Sequence, residues 1–283
     1  MHQRLPGLEL KSVGYRSGQF NDVLILNEDL VARFPMTADA ERSLAIEVAV
    51  LRRVHRVLPL PIPRPIVTEA EQTLQPTACM IYRMLPGTPL HQSTLNALRR
   101  TDPDAFEYLG RQAGAFLRAL HNIPLDDLDG IVPVADDAPY WQRMLAAFQD
   151  ELFGYMRPDA RQAVATTFES YLREPDALRW PPVLRHGDFG GANLLFDSSR
   201  RQLSGVIDFG SVAIGDPATD LAAISAFDER LALAMRPVYR ELFSPAAHRR
   251  AAFYRSTFAL QQALWALRAG DADEFQDGIA AYI

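Results

Sequence analysis

Apolar and polar positions change their period several times along this chain. Between residues 10 and 34 they alternate and favour branched side chains, the period-two signature of strands. Val23–Leu26 and Leu30–Phe34 flank Asn27-Glu28-Asp29, which predicts a hairpin with a short polar loop, and Pro35 ends the second strand. Over 39–57 the period lengthens: Leu44, Val48, Leu51 and Val54 recur every three to four positions and predict a helix. A proline-rich connector, PLPIPRPIV, follows. ACMIYRML (Ala78–Leu85) then has the length of a strand, and Pro86-Gly87 breaks it.

Beyond that break the helical period dominates. Phe106, Leu109, Ala113, Phe116, Leu117 and Leu120 form one stripe, and 140–153 and 160–172 read as further helices. Short strands return at VLRH, NLLFD and LSGVIDF, with Ser198–Arg201 as the turn between the last two. From Pro217 onward the chain is mostly helical. The pattern predicts an α+β, two-lobed fold: a small strand-rich part, 1–84, and a larger helical part, 85–283, joined near Met84–Gly87. No internal repeat or low-complexity tract interrupts it.

Composition narrows the classes. Of 283 residues, 48% are hydrophobic, enough to bury a real core, and the net charge is −6. No basic stripe marks a nucleic-acid partner. No apolar run approaches the ~18–20 residues of a membrane span, and MHQRLPGLEL lacks the apolar core of a secretory signal. Cys79 is the single cysteine, so no internal disulfide forms, which fits a reducing cytoplasm. A soluble, cytoplasmic protein is expected. The acidity is uneven: residues 1–84 carry ten Lys/Arg against nine Asp/Glu, and residues 85–283 carry nineteen against twenty-six.

The chemistry concentrates in RHGDFGGANLLFD, Arg185–Asp197. Phosphoryl transfer needs a carboxylate to orient the acceptor hydroxyl and take its proton, and oxygen ligands for magnesium. Asp188 suits the first role and Asn193 the second. Gly190 and Gly191 let the backbone between them turn tightly. Fifteen residues after Asn193, an apolar strand delivers Asp208-Phe209-Gly210, and Asp208 is the expected second magnesium ligand. Taken singly, a capping Asp and a turn Asn would explain Asp188 and Asn193. The joint order, His-Gly-Asp, four spacers, Asn, a strand hairpin, then Asp-Phe-Gly, is that of a kinase catalytic loop followed by its metal loop. Pro217 suits a helix start, with Asp216 as its N-cap.

HGDFGGANLLFD with GVIDFGSVAIGDPATDLAAI resembles the aminoglycoside phosphotransferase family, relatives of the protein kinases, and in particular its 2″-aminoglycoside and macrolide kinases. The resemblance covers most of the chain. It implies a bilobal kinase-like fold, ATP or GTP as phosphoryl donor, magnesium, and an antibiotic hydroxyl as acceptor. It implies that a basic residue of the third strand, here Arg33 in place of the usual lysine, grips the phosphates and pairs with Glu47. It puts backbone N–H groups of Ser17, Gly18 and Phe20 over the phosphates, and the nucleobase against Ile81, Tyr82 and Met84. Asp220 would hydrogen-bond the His-Gly-Asp backbone, and His186 would be a structural anchor. His121 reads as a helix-end residue.

The acidic balance of 85–283 favours a polycationic acceptor such as an aminoglycoside. Asp228, Glu229 and the Asp271-Asp273-Glu274 group are candidate pocket acids, each also readable as a solvated helix end. Trp265 reads as a pocket wall or, more simply, a core residue. Gln261-Gln262 stands where the 2″-kinases often carry a glutamate. Three functions follow in order: a 2″-type aminoglycoside kinase conferring resistance, a kinase of a macrolide or another small hydroxylated metabolite, and an idle nucleotide-binding module. The presence of Asp188, Asn193 and Asp208 disfavours the last.

Overall fold

The computed structural model describes residues 8–18, 21–68, 79–174 and 177–283. Its N-terminal part is a five-stranded antiparallel sheet of β1 (Val13–Ser17), β2 (Asn21–Leu26), β3 (Leu30–Pro35), β4 (Pro65–Thr68) and β5 (Met80–Arg83), in the order β1-β2-β3-β5-β4. The β2–β3 turn holds Asn27 and Glu28 at φ 53° and 56°, the left-handed pair that matches the twist of a hairpin. One helix, α1 (Ala38–Val54), covers the sheet. Thr37 caps it, its hydroxyl oxygen accepting from the Ala40 N–H at 3.1 Å, and Asp39 and Glu41 sit at the favourable end of its dipole. The predicted stripe Leu44, Val48, Leu51 and Val54 is buried.

Successive strand residues face opposite sides of a sheet. In β3, Leu30 and Ala32 join Leu26, Cys79 and Ile81 in one small apolar cluster. Val31 joins Leu44, Val48, Met80 and Tyr82 in the main core. Arg33 shares the Val31 face and so projects toward α1.

The larger part begins with β6 (Thr88–Pro89) and is mostly helical: α2 (Gln92–Thr101), α3 (Pro103–His121), α4 (Ala138–Ala147) and α5 (Pro158–Arg173). Strands β7 (Val183–Arg185), β8 (Leu194–Asp197), β9 (Gln202–Val206) and β10 (Ala213–Gly215) follow. β6-β8-β9 form one small sheet and β10-β7 another. The chain closes with α6 (Ala218–Phe227), α7 (Glu229–Met235), α8 (Pro245–Ala269) and α9 (Ala272–Ile279). The main core runs without a break from Val31 and Tyr82 through Leu90, Leu95 and Phe116 to Leu264. Among the described residues no helix is long and apolar enough to cross a membrane.

Candidate active site

Three loops meet where the sheet borders the helical part. The first follows β7 and carries His186, Gly187 and Asp188. The second is a single tight turn, Gly191–Asn193, leading into β8. Gly191 has to be glycine there, because a Cβ would lie 2.2 Å from the Phe227 ring. The third follows β9. The Ile207 N–H donates to the Asn193 carbonyl at 3.0 Å, which sets Asp208 beside Asn193. Asp208 adopts φ 63°, a left-handed backbone uncommon for a residue with a Cβ.

The carboxylate of Asp188 is exposed, and its Oδ2 accepts from Asn193 Nδ2 at 2.8 Å. The same Nδ2 also donates to the Asp188 carbonyl at 2.9 Å. Asn193 is buried, its amide hydrogens are committed, and its Oδ1 has no hydrogen-bond partner among the described residues. Asp208 keeps one oxygen equally free, the other accepting from Arg33 Nη2 at 3.2 Å. One amide oxygen and one carboxylate are hard donors of the kind magnesium takes, with phosphate and water completing its shell. No cluster of three or more His, Cys, Asp or Glu suited to a metal occurs among the described residues. The donor set therefore fits a cation shared with a phosphate ligand.

Arg33 is the bridge from the sheet. Its Nη1 donates to both oxygens of Glu47, at 2.8 and 2.9 Å, and its Nη2 reaches Asp208. Glu47 is fully buried and also accepts from the Phe209 N–H at 3.2 Å. The Arg33 fork thus ties α1 to the Asp-Phe-Gly loop, which a single lysine ammonium could not do in this geometry. Burial alone would loosen the Arg33 proton, but Glu47 and Asp208 beside it raise its pKa. Burial pushes the Glu47 carboxyl up to about 7 against the opposing pull of Arg33. Tyr82 lies buried near this pair, and burial pushes its phenol up to about 12.

Behind the loops stands a buried support. Asp220, on α6, accepts from the His186 N–H at 2.9 Å with Oδ2 and from the Gly187 N–H at 2.7 Å with Oδ1. Its burial opposes ionisation, but its hydrogen bond to His121 and the pull of His121, His186 and the Gly187 N–H outweigh that and lower its pKa. His186 is itself buried, its Nε2 3.2 Å from the Ile207 carbonyl and its ring tilted against Phe209 at 4.7 Å. It therefore links the His-Gly-Asp and Asp-Phe-Gly loops from within.

Several expectations need correction. His121 does end α3 but is also buried, with Nε2 2.9 Å from Asp220 and Nδ1 3.0 Å from the Tyr239 hydroxyl. Asp216 does accept from the Ala218 N–H at 2.9 Å, but its main partners are Arg250 and Tyr254, buried with it. Ile81 and Tyr82 are paired on both strand edges, and the Met84 N–H donates to the Asp29 carbonyl at 2.7 Å. The Gly18 N–H is spent on the Asn21 carbonyl at 3.0 Å. Ser17 ends β1, and Phe20 lies outside the described residues.

The weak acceptor candidates separate further. Asp228 is buried, held by Arg99 and Gln92 at 2.7 Å and capping α7 through the Leu231 N–H, which removes it as a pocket acid. Glu229 is exposed. Trp265 is no core residue: it is 37% exposed, with the Arg268 guanidinium 5.0 Å over its ring. Asp271 caps α9, and Glu274 accepts from Gln262 at 2.6 Å. Asp271 and Asp273 line a hollow of about 420 Å³ that is open to solvent and bordered on the other side by Gly18 and Met36.

A kinase-like two-part fold with a His-Gly-Asp loop and an Asp-Phe-Gly loop sharing one site defines the class: a small-molecule O-phosphotransferase. Residues 13–254 match the phosphotransferase enzyme family APH. A viomycin phosphotransferase of Streptomyces vinaceus is 32% identical over 285 residues, covering 98% of this chain and 95% of its own. Among solved structures, the GDP and kanamycin complex of APH(2″)-IIIa aligns with a TM-score of 0.87 at 24% identity, over 99% of this chain and 94% of that one. Macrolide 2′-phosphotransferase type I aligns at 0.73 and 21% identity, over 98% and 92%. The chain belongs to the aminoglycoside phosphotransferase family of phosphotransferase enzymes.

Proposed function

We propose that this enzyme moves the γ-phosphoryl group of ATP or GTP to a hydroxyl of an antibiotic. The convergence of Asp188, Asn193 and Asp208 with the Arg33–Glu47 pair carries the reading. Asp188 orients the acceptor hydroxyl and takes its proton, its position fixed by Asn193 Nδ2. Arg33 holds phosphate oxygens, and Glu47 holds Arg33. Asn193 Oδ1 and Asp208 would hold magnesium, which neutralises phosphate charge when bound. In this reading residues 1–84 grip the nucleotide, and residues 85–283 carry the acceptor and the chemistry. The enzyme works as a cytoplasmic monomer, where nucleoside triphosphate is supplied.

Viomycin is the first acceptor to test, supported by the 32% identity that runs along nearly the whole chain. A 2″-type aminoglycoside is the second, supported by the acidic balance of residues 85–283, which draws polycations. A macrolide is the third. Purified protein with magnesium and ATP or GTP is offered viomycin, kanamycin, gentamicin and erythromycin, and product mass is read. A gain of one phosphate on one of them is the expected result. Tight nucleotide binding with transfer to none would make the chain an idle module.

A further inference from the structure

We propose that Asp136 and Arg185 form a positioning clamp that sets the spacing between the catalytic loop and the metal loop. The proposal rests on the phosphotransferase reading of that site. Neither residue touches the reacting atoms as the site is built above.

Arg185 is the last residue of β7 and directly precedes His186-Gly187-Asp188. Its Nη1 donates to the Ser211 carbonyl at 3.0 Å, and Ser211 lies three residues past Asp208. One guanidinium therefore spans both loops from behind. Its remaining nitrogens go to Asp136: Nε to Oδ2 at 2.6 Å and Nη2 to Oδ1 at 3.3 Å. This planar double contact fixes where Nη1 points. Asp136 is 1% exposed and holds φ 66°. It is anchored by the Ala135 N–H on the Ile214 carbonyl and by Trp141 Nε1 on its own carbonyl.

Asp136 Oδ2 also accepts from the Asp216 N–H at 3.1 Å and from Thr219 Oγ1 at 3.0 Å. Those groups lie just before and within the first turn of α6, no more than four residues from Asp220, which holds the His186 and Gly187 N–H groups. The clamp thus joins β7, the segment after Asp208 and the α6 start in one buried polar unit. Two glycines leave room for it. A Cβ on Gly187 would lie 2.2 Å from Arg185 Nη1 and 2.3 Å from the Ser211 carbonyl oxygen, and one on Gly215 would lie 2.3 Å from Asp136 Oδ2. A buried pair whose neighbours are trimmed to backbone is costly unless its geometry is used.

Arg185→Lys keeps the charge but cannot hold Asp136 twice and the Ser211 carbonyl together. Misplacing reacting groups by about 1 Å costs on the order of 10²-fold in rate. The expected result for this variant is a fall in kcat of about 10- to 100-fold, with nucleotide Kd within about threefold and faster amide hydrogen exchange around Ser211–Ala213. Asp136→Asn should repeat the kcat effect, and the double variant should be no slower than the worse single one. Urea midpoints check that the assayed protein is folded; if Asp136→Asn fails to fold, Arg185→Lys carries the test. A parent that transfers phosphate while Arg185→Lys keeps kcat within twofold would overturn the clamp alone. A parent that transfers phosphate to no acceptor removes the function reading, and the clamp with it.

Discussion

Replacing Asp220 by asparagine removes one acceptor oxygen and a charge at the centre of the support beneath the catalytic loop. Oδ2 serves the His186 N–H and His121 Nε2, and Oδ1 serves the Gly187 N–H. An asparagine that keeps its oxygen at the doubly used position turns its NH₂ toward the Gly187 N–H, donor against donor. A hydrogen bond to a charged group contributes about 1.5–3 kcal/mol, and a buried donor left unmet costs about 1–3 kcal/mol. A loss of about 3 kcal/mol follows, a large share of the ~5–15 kcal/mol that holds a typical domain. With a urea slope of about 3 kcal/mol/M, the midpoint should fall by about 1 M. The acid limb gives a second readout. The folded state lowers the Asp220 pKa from 3.8, so its stabilisation is full above that unfolded value and is lost as pH falls through the folded one. Between the two values the unfolded chain binds the extra proton, so stability rises with pH. The asparagine variant should lose that part of the slope. A midpoint within about 0.2 M of the parent, with the same acid limb, would refute the support drawn here.

Two further outcomes are expected. Asp188→Ala should lower kcat by about 10²–10⁴-fold while equilibrium nucleotide binding stays nearly unchanged; a variant that keeps most of its turnover would remove Asp188 as the proton acceptor. Arg33→Lys should lower kcat/KM for the nucleotide about tenfold, because one ammonium cannot serve Glu47 twice and Asp208 once, and steady-state kinetics against ATP and GTP check it.

The parts of the site legible in the sequence are those whose partners lie close along the chain or follow from strand and helix period. Asp188, Asn193 and Asp208 sit on consecutive loops of one β7–β8–β9 run. Arg33 and Glu47 came from the family resemblance, placed on a strand and the helix that directly follows it. Asp220 beneath His-Gly-Asp was expected from the resemblance alone, and its buried charged partners behind the loops were not legible. His121 meets Asp220 across 99 positions, Asp136 meets Arg185 across 49, and Asp216 meets Arg250 across 34. No spacing rule reports such pairs. Arg185 alone carried a local hint, since a buried arginine on the strand before His-Gly-Asp must find an anion. Trp265 was misread because α8 mixes polar and apolar residues all round, so its period does not tell which side faces the core. The Met84 N–H was lost to Asp29, a contact made by the turn of the β2–β3 hairpin and invisible in the ACMIYRML run itself.

Val31, Met80 and Tyr82 share one apolar cluster with Leu90, Leu95 and Phe116. A fragment severed after residue 84 would carry that oily face into water with nothing to lay against it.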